Sequence, residues 1–207
     1  MSYVSVEQRR RELIAAAIRV VSDVGLAAAS TRAICAEAGV QQSVFHYCFA
    51  SKEELLRELT REVVMQYQES ALKFLAPGVD VETSMREGLM AVWQVASADP
   101  GRLLAFYELT VGGLRAAGRQ DISDWQNNEH TTATDDFLAK LAETSGVEWT
   151  VPVPVLIRII VIVVQGFSIS WLIDNRADEV EAAIDALAKL LSGLAAPAPP
   201  AEPSAEV

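Results

Sequence analysis

Residues 30–52, STRAICAEAGVQQSVFHYCFASK, constrain this chain more than any other stretch. They read as two short helical segments, 30–38 and 42–47, separated by a tight turn at Gly39. Ile34, Ala38, Val40 and Phe45 are available to pack between the two segments, and Ala36 is small where crossing helices must approach. This is the layout of a helix-turn-helix, in which the second helix enters a DNA major groove. A generic helix pair satisfies the same spacing.

Charge decides how far that reading can go. The 207 residues carry 17 Lys and Arg against 28 Asp and Glu, a formal net charge of −11. Taken over the whole chain this argues against nucleic acid, whose phosphates need cations. The balance is uneven, however. Residues 1–52 hold six basic and four acidic side chains, which leaves 11 basic and 24 acidic for the rest. Such asymmetry indicates two parts with different partners.

Most of the chain reads as helix. Ser5-Val6-Glu7-Gln8 fits a capping box, apolar residues follow at helical spacing, and Gly25 suits a C-terminal stop. Ser51-Lys52-Glu53-Glu54 is a second capping box, opening a long helix to about residue 75 before Pro77-Gly78. Further helices are expected over 82–98, 102–115, 123–144, 155–173 and 179–194, with no strand alternation. The tail from Ala195 is proline-rich and reads as disordered. The 19-residue apolar run 155–173 approaches membrane-span length. It contains Arg158, Gln165, Ser168 and Ser170 and lacks flanking basic clusters, so a helix buried against others is expected instead.

The segment TRAICAEAGVQQSVFHYCFASKEELL resembles the TetR/AcrR signature through Thr31, Ile34, Ala38, Gly39, Val40, Phe45, Phe49, Ser51, Lys52 and Leu55. The likeness covers roughly residues 10–56. Three positions depart from the usual pattern: Gln41 replaces the N-cap Ser of the recognition helix, His46 replaces an aromatic, and Cys48 stands where His or Tyr is common. The resemblance implies an all-α chain of about nine helices. Its parts would be a DNA-binding domain (1–52), a helical ligand-binding and dimerisation domain (53–194) and a disordered tail (195–207). The implied function is a transcriptional regulator, with repression favoured and an activator or a ligand-independent DNA-binding regulator the alternatives; the polar start and the two lone cysteines make the cytoplasm the expected compartment. Its partners would be a double-stranded, pseudo-palindromic operator, a small apolar effector and a second copy of the chain, with no membrane.

Within that frame Thr31 and Arg32, at the start of the supporting helix, are placed to hold a phosphate, and Arg32 to reach a guanine edge. Gln41 caps the recognition helix and Gln42 opens its exposed face, where it suits adenine. Ser43 and Val44 would face bases, His46 and Tyr47 the backbone, and Lys52 a phosphate. Ordinary solvated charges remain the alternative for Arg32 and Lys52, and a core position for Tyr47. Cys35 and Cys48 read as small buried hydrophobes, with a redox role for Cys48 the lesser alternative.

The resemblance also places an effector pocket in the second part. Trp93, Phe106, Tyr107, Trp125, His130, Phe137 and Trp171 are candidates for its lining, because aromatics combine large area with polar tips. Arg158, in an apolar helix, needs Glu108, Asp135 or an anionic ligand as partner. The dimer interface is expected on the last two helices, through Gly166, Ser170, Val180, Ile184, Leu187 and Leu191, with packing inside one chain the alternative. No metal-ligand spacing, cofactor fingerprint or hydrolase motif is present in the sequence, so an enzyme, a metal site or a cofactor is not expected. A small helical enzyme or an interaction module without DNA binding are the competing classes.

Overall fold

In the computed structural model, which describes residues 5–115 and 120–199, five helices begin where a side chain closes the first turn, the one from Pro100 among them. Ser5 accepts from the Gln8 amide at the start of α1 (Val6–Ala28), and Ser30 from Ala33 at α2 (Thr31–Glu37). Ser51 accepts from Glu54 at α4 (Lys52–Leu72), and Asp80 from Thr83 at α5 (Val81–Ser97). The second helix of the turn motif, α3 (Gln42–Cys48), has Gln41 at its N-cap with no side-chain hydrogen bond, as the departure from the usual Ser implies. Gly39 makes the turn between α2 and α3 at φ +66°, a conformation that disfavours any side chain.

α6 (Pro100–Arg115) starts earlier than the expected residue 102. Pro100 fits the first turn because its missing N–H is needed by no helical bond, and Asp99 accepts from the Arg102 amide at 3.0 Å. α7 (Gln120–Ser145), α8 (Val153–Asp174) and α9 (Ala177–Ser192) complete nine helices among the described residues. Asn175 stops α8 in the left-handed conformation at φ +56°.

Two expectations need correction here. Short strands do occur: β1 (Val147–Trp149) pairs antiparallel with β2 (Ala195–Pro197), with Glu148 opposite Ala196. The first residues of the expected disordered tail are therefore fastened across the α7–α8 connection, helped by the Thr150 amide bonding the Leu194 carbonyl at 2.8 Å. Ala-Ala-Pro has no strand pattern of its own. Backbone pairing with a distant segment orders it, which no local pattern reports. Residues 200–207 lie outside the described residues, as does the helix stop expected near Gly118.

Two apolar cores form. The first gathers Leu13, Ile34, Phe45, Phe49, Leu55 and Leu59 from α1 to α4 and is closed by Ala105, Phe106 and Leu109 of α6. The second joins α5, α7, α8 and α9 around Met85, Leu138, Leu141, Leu156 and Ile184. Each fully buried Leu or Phe stabilises the fold by about 1.5–3 kcal/mol. Val180, Ile184, Leu187 and Leu191, expected at a dimer interface, are buried inside this second core instead. The reason is that α9 lies along α5, so its apolar stripe is consumed within the chain. Gly166 and Ser170 do remain exposed, in a stripe on α8 with Val155, Ile162, Ile169 and Ile173, and Leu190 of α9 is exposed too. α8 has the length and apolarity of a membrane span, with 33% of its most apolar window buried.

Candidate functional site

The seven residues of α3 divide cleanly by face. Phe45 and Cys48 are buried in the first core, with Phe49 just beyond, and Val44 is half-buried against it. Gln42, Ser43, His46 and Tyr47 project outward, and Tyr47 is 73% exposed, which excludes a core role. Arg32 and Gln41 are exposed beside them, and Thr31 and Lys52 are half-buried. Seven residues span about 10 Å, and a helix of that calibre fits a major groove. Val44 is the weakest of the expected base-reading residues, since its side chain is committed to the core. Ser30 already takes the Ala33 amide, so part of the donor set at the start of α2 is spent on capping. Both cysteines are buried and unlinked, and burial pushes both thiols up.

The recognition helix is fastened from behind by Arg10. Its guanidinium donates to the Cys48 carbonyl at the end of α3, lies 4.2 Å from the Phe49 ring centroid, and pairs with Glu54 at 3.2 Å. Glu54 in turn accepts from the Ala50 amide at 2.8 Å, and that backbone bond is the main cause holding its carboxyl below the usual range. The reciprocal bond of the second capping box thus reaches one residue further back than expected. Sequence reasoning missed Arg10, because nothing in the run Arg9-Arg10-Arg11 marks the middle member as the one facing α3 and α4.

A second tie lies where α1 breaks. Gly25 sits at φ +79°, ψ +159° inside the helical span, a region open essentially only to glycine. The break exposes the Leu26 amide, which donates to Glu108 Oε2 of α6 at 2.6 Å. The Leu26 carbonyl accepts from Lys52 Nζ at 3.3 Å. One residue thus joins α6 to the first residue of α4, next to the recognition helix. Glu108 is therefore not the partner of Arg158. Arg158 is exposed on α8, in a surface groove with Thr131, Thr132 and Asp135, and it needs no buried partner because it is not buried.

Behind the first core lie two adjoining, partly open cavities of about 30 and 90 Å³. Trp93, Phe106, Tyr107 and His130 line the first, and His130 and Phe137 the second. Trp125 lies elsewhere, stacked beneath Arg61 at 5.4 Å. Trp171 packs edge-on against Trp93 at 5.2 Å and lines neither cavity. Tyr67 and Gln165 line both cavities and were not anticipated; the one available signal was a Gln within an apolar helix. The Tyr107 hydroxyl donates to the Gln165 carbonyl at 3.2 Å. Burial pushes the Tyr67 phenol up to about 12 and the His130 imidazole down to about 4, so both are neutral near pH 7. Val64 and Phe106 each belong to the first core and also to a cavity wall.

Comparison with known proteins fits this arrangement. The family model for bacterial regulatory proteins of the tetR family matches residues 13–59. The chain is 25% identical over 171 residues to the HTH-type nicotine-responsive transcriptional repressor HdnoR of Paenarthrobacter nicotinovorans, covering 83% of this chain and 87% of that one. Its fold is similar to a transcriptional regulator from Rhodococcus sp. Rha1, with a TM-score of 0.71, 16% identity, and 92% and 99% of the two chains covered. It is also similar to the transcriptional regulator FadR from Bacillus subtilis in complex with stearoyl-CoA, with a TM-score of 0.67, 16% identity, and 88% and 97% covered. With its outward-facing α3, its match to the tetR-family model over residues 13–59 and the shared helical frame behind it, the chain is similar to DNA-binding transcriptional regulators of the TetR family.

Proposed function

We propose that this regulator is a homodimeric, cytoplasmic repressor, released from a pseudo-palindromic operator when a small, largely apolar molecule occupies the cavities behind the helix-turn-helix. The observation that carries this reading is the sharing of walls. α4 and α6 contribute Val64 and Phe106 to both the first core and the cavities, so a ligand that displaces either side chain presses directly on the packing that seats α3. Any such control requires different ligand affinity in the two DNA-binding states. The nicotine-responsive repressor at 25% identity supports a small-molecule effector and repression.

The outward face of α2 and α3 supplies the DNA contacts in this reading: Arg32, Gln42, Ser43, His46 and Tyr47, with Lys52 beside them and Thr31 at the start of α2. One seven-residue helix reads few base pairs, so a second copy is needed for specificity. The exposed stripe Ile162, Gly166, Ile169 and Ile173 of α8, with Leu190 of α9, is the face that a second copy covers. The −13 balance beyond residue 52 leaves little non-specific attraction, so operator binding is salt-sensitive.

The test is fluorescence polarisation with DNA flanking the coding region, using dimeric protein at moderate salt. A specific complex is expected, weakened and with a shallower salt slope in Arg32→Ala/Lys52→Ala. An unchanged affinity and slope in the double variant would remove these residues from the interface.

A further inference from the structure

We propose that the effector is an uncharged, flat, largely apolar molecule carrying one hydrogen-bonding group, and that Nε2 of His130, in the wall common to the two cavities, is its polar partner. This rests on the reading of the cavities as the effector site, and it adds the chemistry that the site selects.

Among the described residues lining either cavity there is no Asp, Glu, Lys or Arg. An ion placed there would lose its hydration and meet no countercharge in the lining, since Arg102, whose charge is felt at Tyr67, lines neither cavity. Trp93, Phe106, Tyr107 and Phe137 instead offer ring faces and edges, which suit a flat apolar body.

Four of the lining polar side chains are already engaged within the protein. Tyr107 donates to the Gln165 carbonyl, Ser168 to the Val164 carbonyl at 2.9 Å, and Thr134 to the His130 carbonyl at 2.8 Å. The Gln68 amide is turned out to Asp136 at 2.8 Å. His130 Nε2 differs: it is sealed from solvent and has no hydrogen-bond partner among the described residues. Its ring is held edge-on against Phe106 at 5.3 Å, so the imidazole is fixed in place. A buried, unmatched polar atom at the junction of two cavities costs stability, and a ligand group that pairs with it recovers that cost. Burial keeps the imidazole uncharged near pH 7, so it does not itself demand an anion. Gln126 Oε1, one turn earlier on α7, is also unpaired, but Gln126 lines neither cavity and its amide is spent on Thr110 at 2.7 Å.

The experiment compares three probes of one size by calorimetry on the full dimeric chain: 2-naphthol, 2-methylnaphthalene and 2-naphthoate. The proposal expects 2-naphthol to bind about tenfold more tightly than 2-methylnaphthalene, and 2-naphthoate most weakly. His130→Phe should bring the first two within about twofold of each other, while Gln126→Leu leaves their ratio unchanged. The Nε2 nitrogen shift of His130 should move with 2-naphthol and not with 2-methylnaphthalene; because this is read in the unaltered protein, it stands even if a variant fails to fold. Equal affinities for 2-naphthol and 2-methylnaphthalene, with an unmoved Nε2 shift, would overturn the hydrogen bond while leaving the cavity reading intact. Tightest binding of 2-naphthoate would overturn the uncharged class. Failure of all three probes to bind would overturn the cavity reading and this proposal with it.

Discussion

Removing Glu108 probes how the regulatory helices hold the DNA-reading unit. Its carboxylate accepts the Leu26 amide at 2.6 Å, at a break in α1 that Gly25 makes at φ +79°. The Leu26 carbonyl accepts from Lys52 at 3.3 Å, so the amide anchor and the first residue of α4 share one peptide segment. A hydrogen bond to a charged acceptor contributes about 1.5–3 kcal/mol, less where the pair is only part-buried. Glu108→Ala should therefore cost about 1–2 kcal/mol, and Glu108→Gln about half of that, because an amide oxygen still accepts. Gly25→Ala should cost about 1–3 kcal/mol from backbone strain alone. A new Cβ there would also lie 3.3 Å from Glu108 Oε2. Urea unfolding at matched protein concentration reads these changes as midpoint shifts of about 0.5 M or more for Glu108→Ala. Operator affinity measured well below the unfolding midpoint should fall as well, since the Lys52 seat is loosened. If both Glu108 variants and Gly25→Ala unfold at the wild-type midpoint, the break in α1 is not held by this bond and the reasoning fails.

Tyr47→Ala should leave stability within about 0.5 kcal/mol, since the side chain is mostly exposed, while weakening operator binding in a polarisation titration. Arg10→Ala should do the reverse first: loss of its bond to the Cys48 carbonyl and its stacking on Phe49 should cost about 1–2 kcal/mol in urea unfolding, with DNA binding falling as α3 loosens. Ile169→Glu with Ile173→Glu should shift sedimentation from dimer to monomer without loss of helical signal, because both residues are exposed within one chain. Acid should weaken the fold through His130. Its folded value, near 4, lies below the ordinary 6.5, so the unfolded chain takes up the proton first and stability falls as pH drops from about 6.5 towards 4. Between pH 7 and pH 5 this amounts to about 2 kcal/mol, and His130→Phe should remove that share of the pH dependence from thermal melts.

The DNA-reading unit was legible in the sequence because its determinants are local. Ser30 and Ser51 cap the next helix, Gly39 makes the turn, and Phe45 with Phe49 alternates against Gln42, Ser43, His46 and Tyr47 at helical spacing. What lay behind that unit was less legible, because an apolar stripe reports that a face is buried and not what buries it. Val180, Ile184, Leu187 and Leu191 followed the helical period faithfully, yet only the position of α9 beside α5 assigned them to the core and left Ile162, Ile169 and Ile173 as the open face. Aromatic residues behaved alike: Trp93 and Phe106 line a cavity whereas Trp125 lies under Arg61 and Trp171 against Trp93, a division set by which helices meet.

By itself, then, the sequence determined helices, caps, the turn and the charge asymmetry, all of which depend on neighbours within a few residues. Only the tertiary structure decided which charge holds which backbone group. Arg10 meets Cys48 across 38 positions and Glu108 meets Leu26 across 82. Contacts between residues so far apart in the chain depend on how the helices dock, and leave no periodic trace in the order of residues.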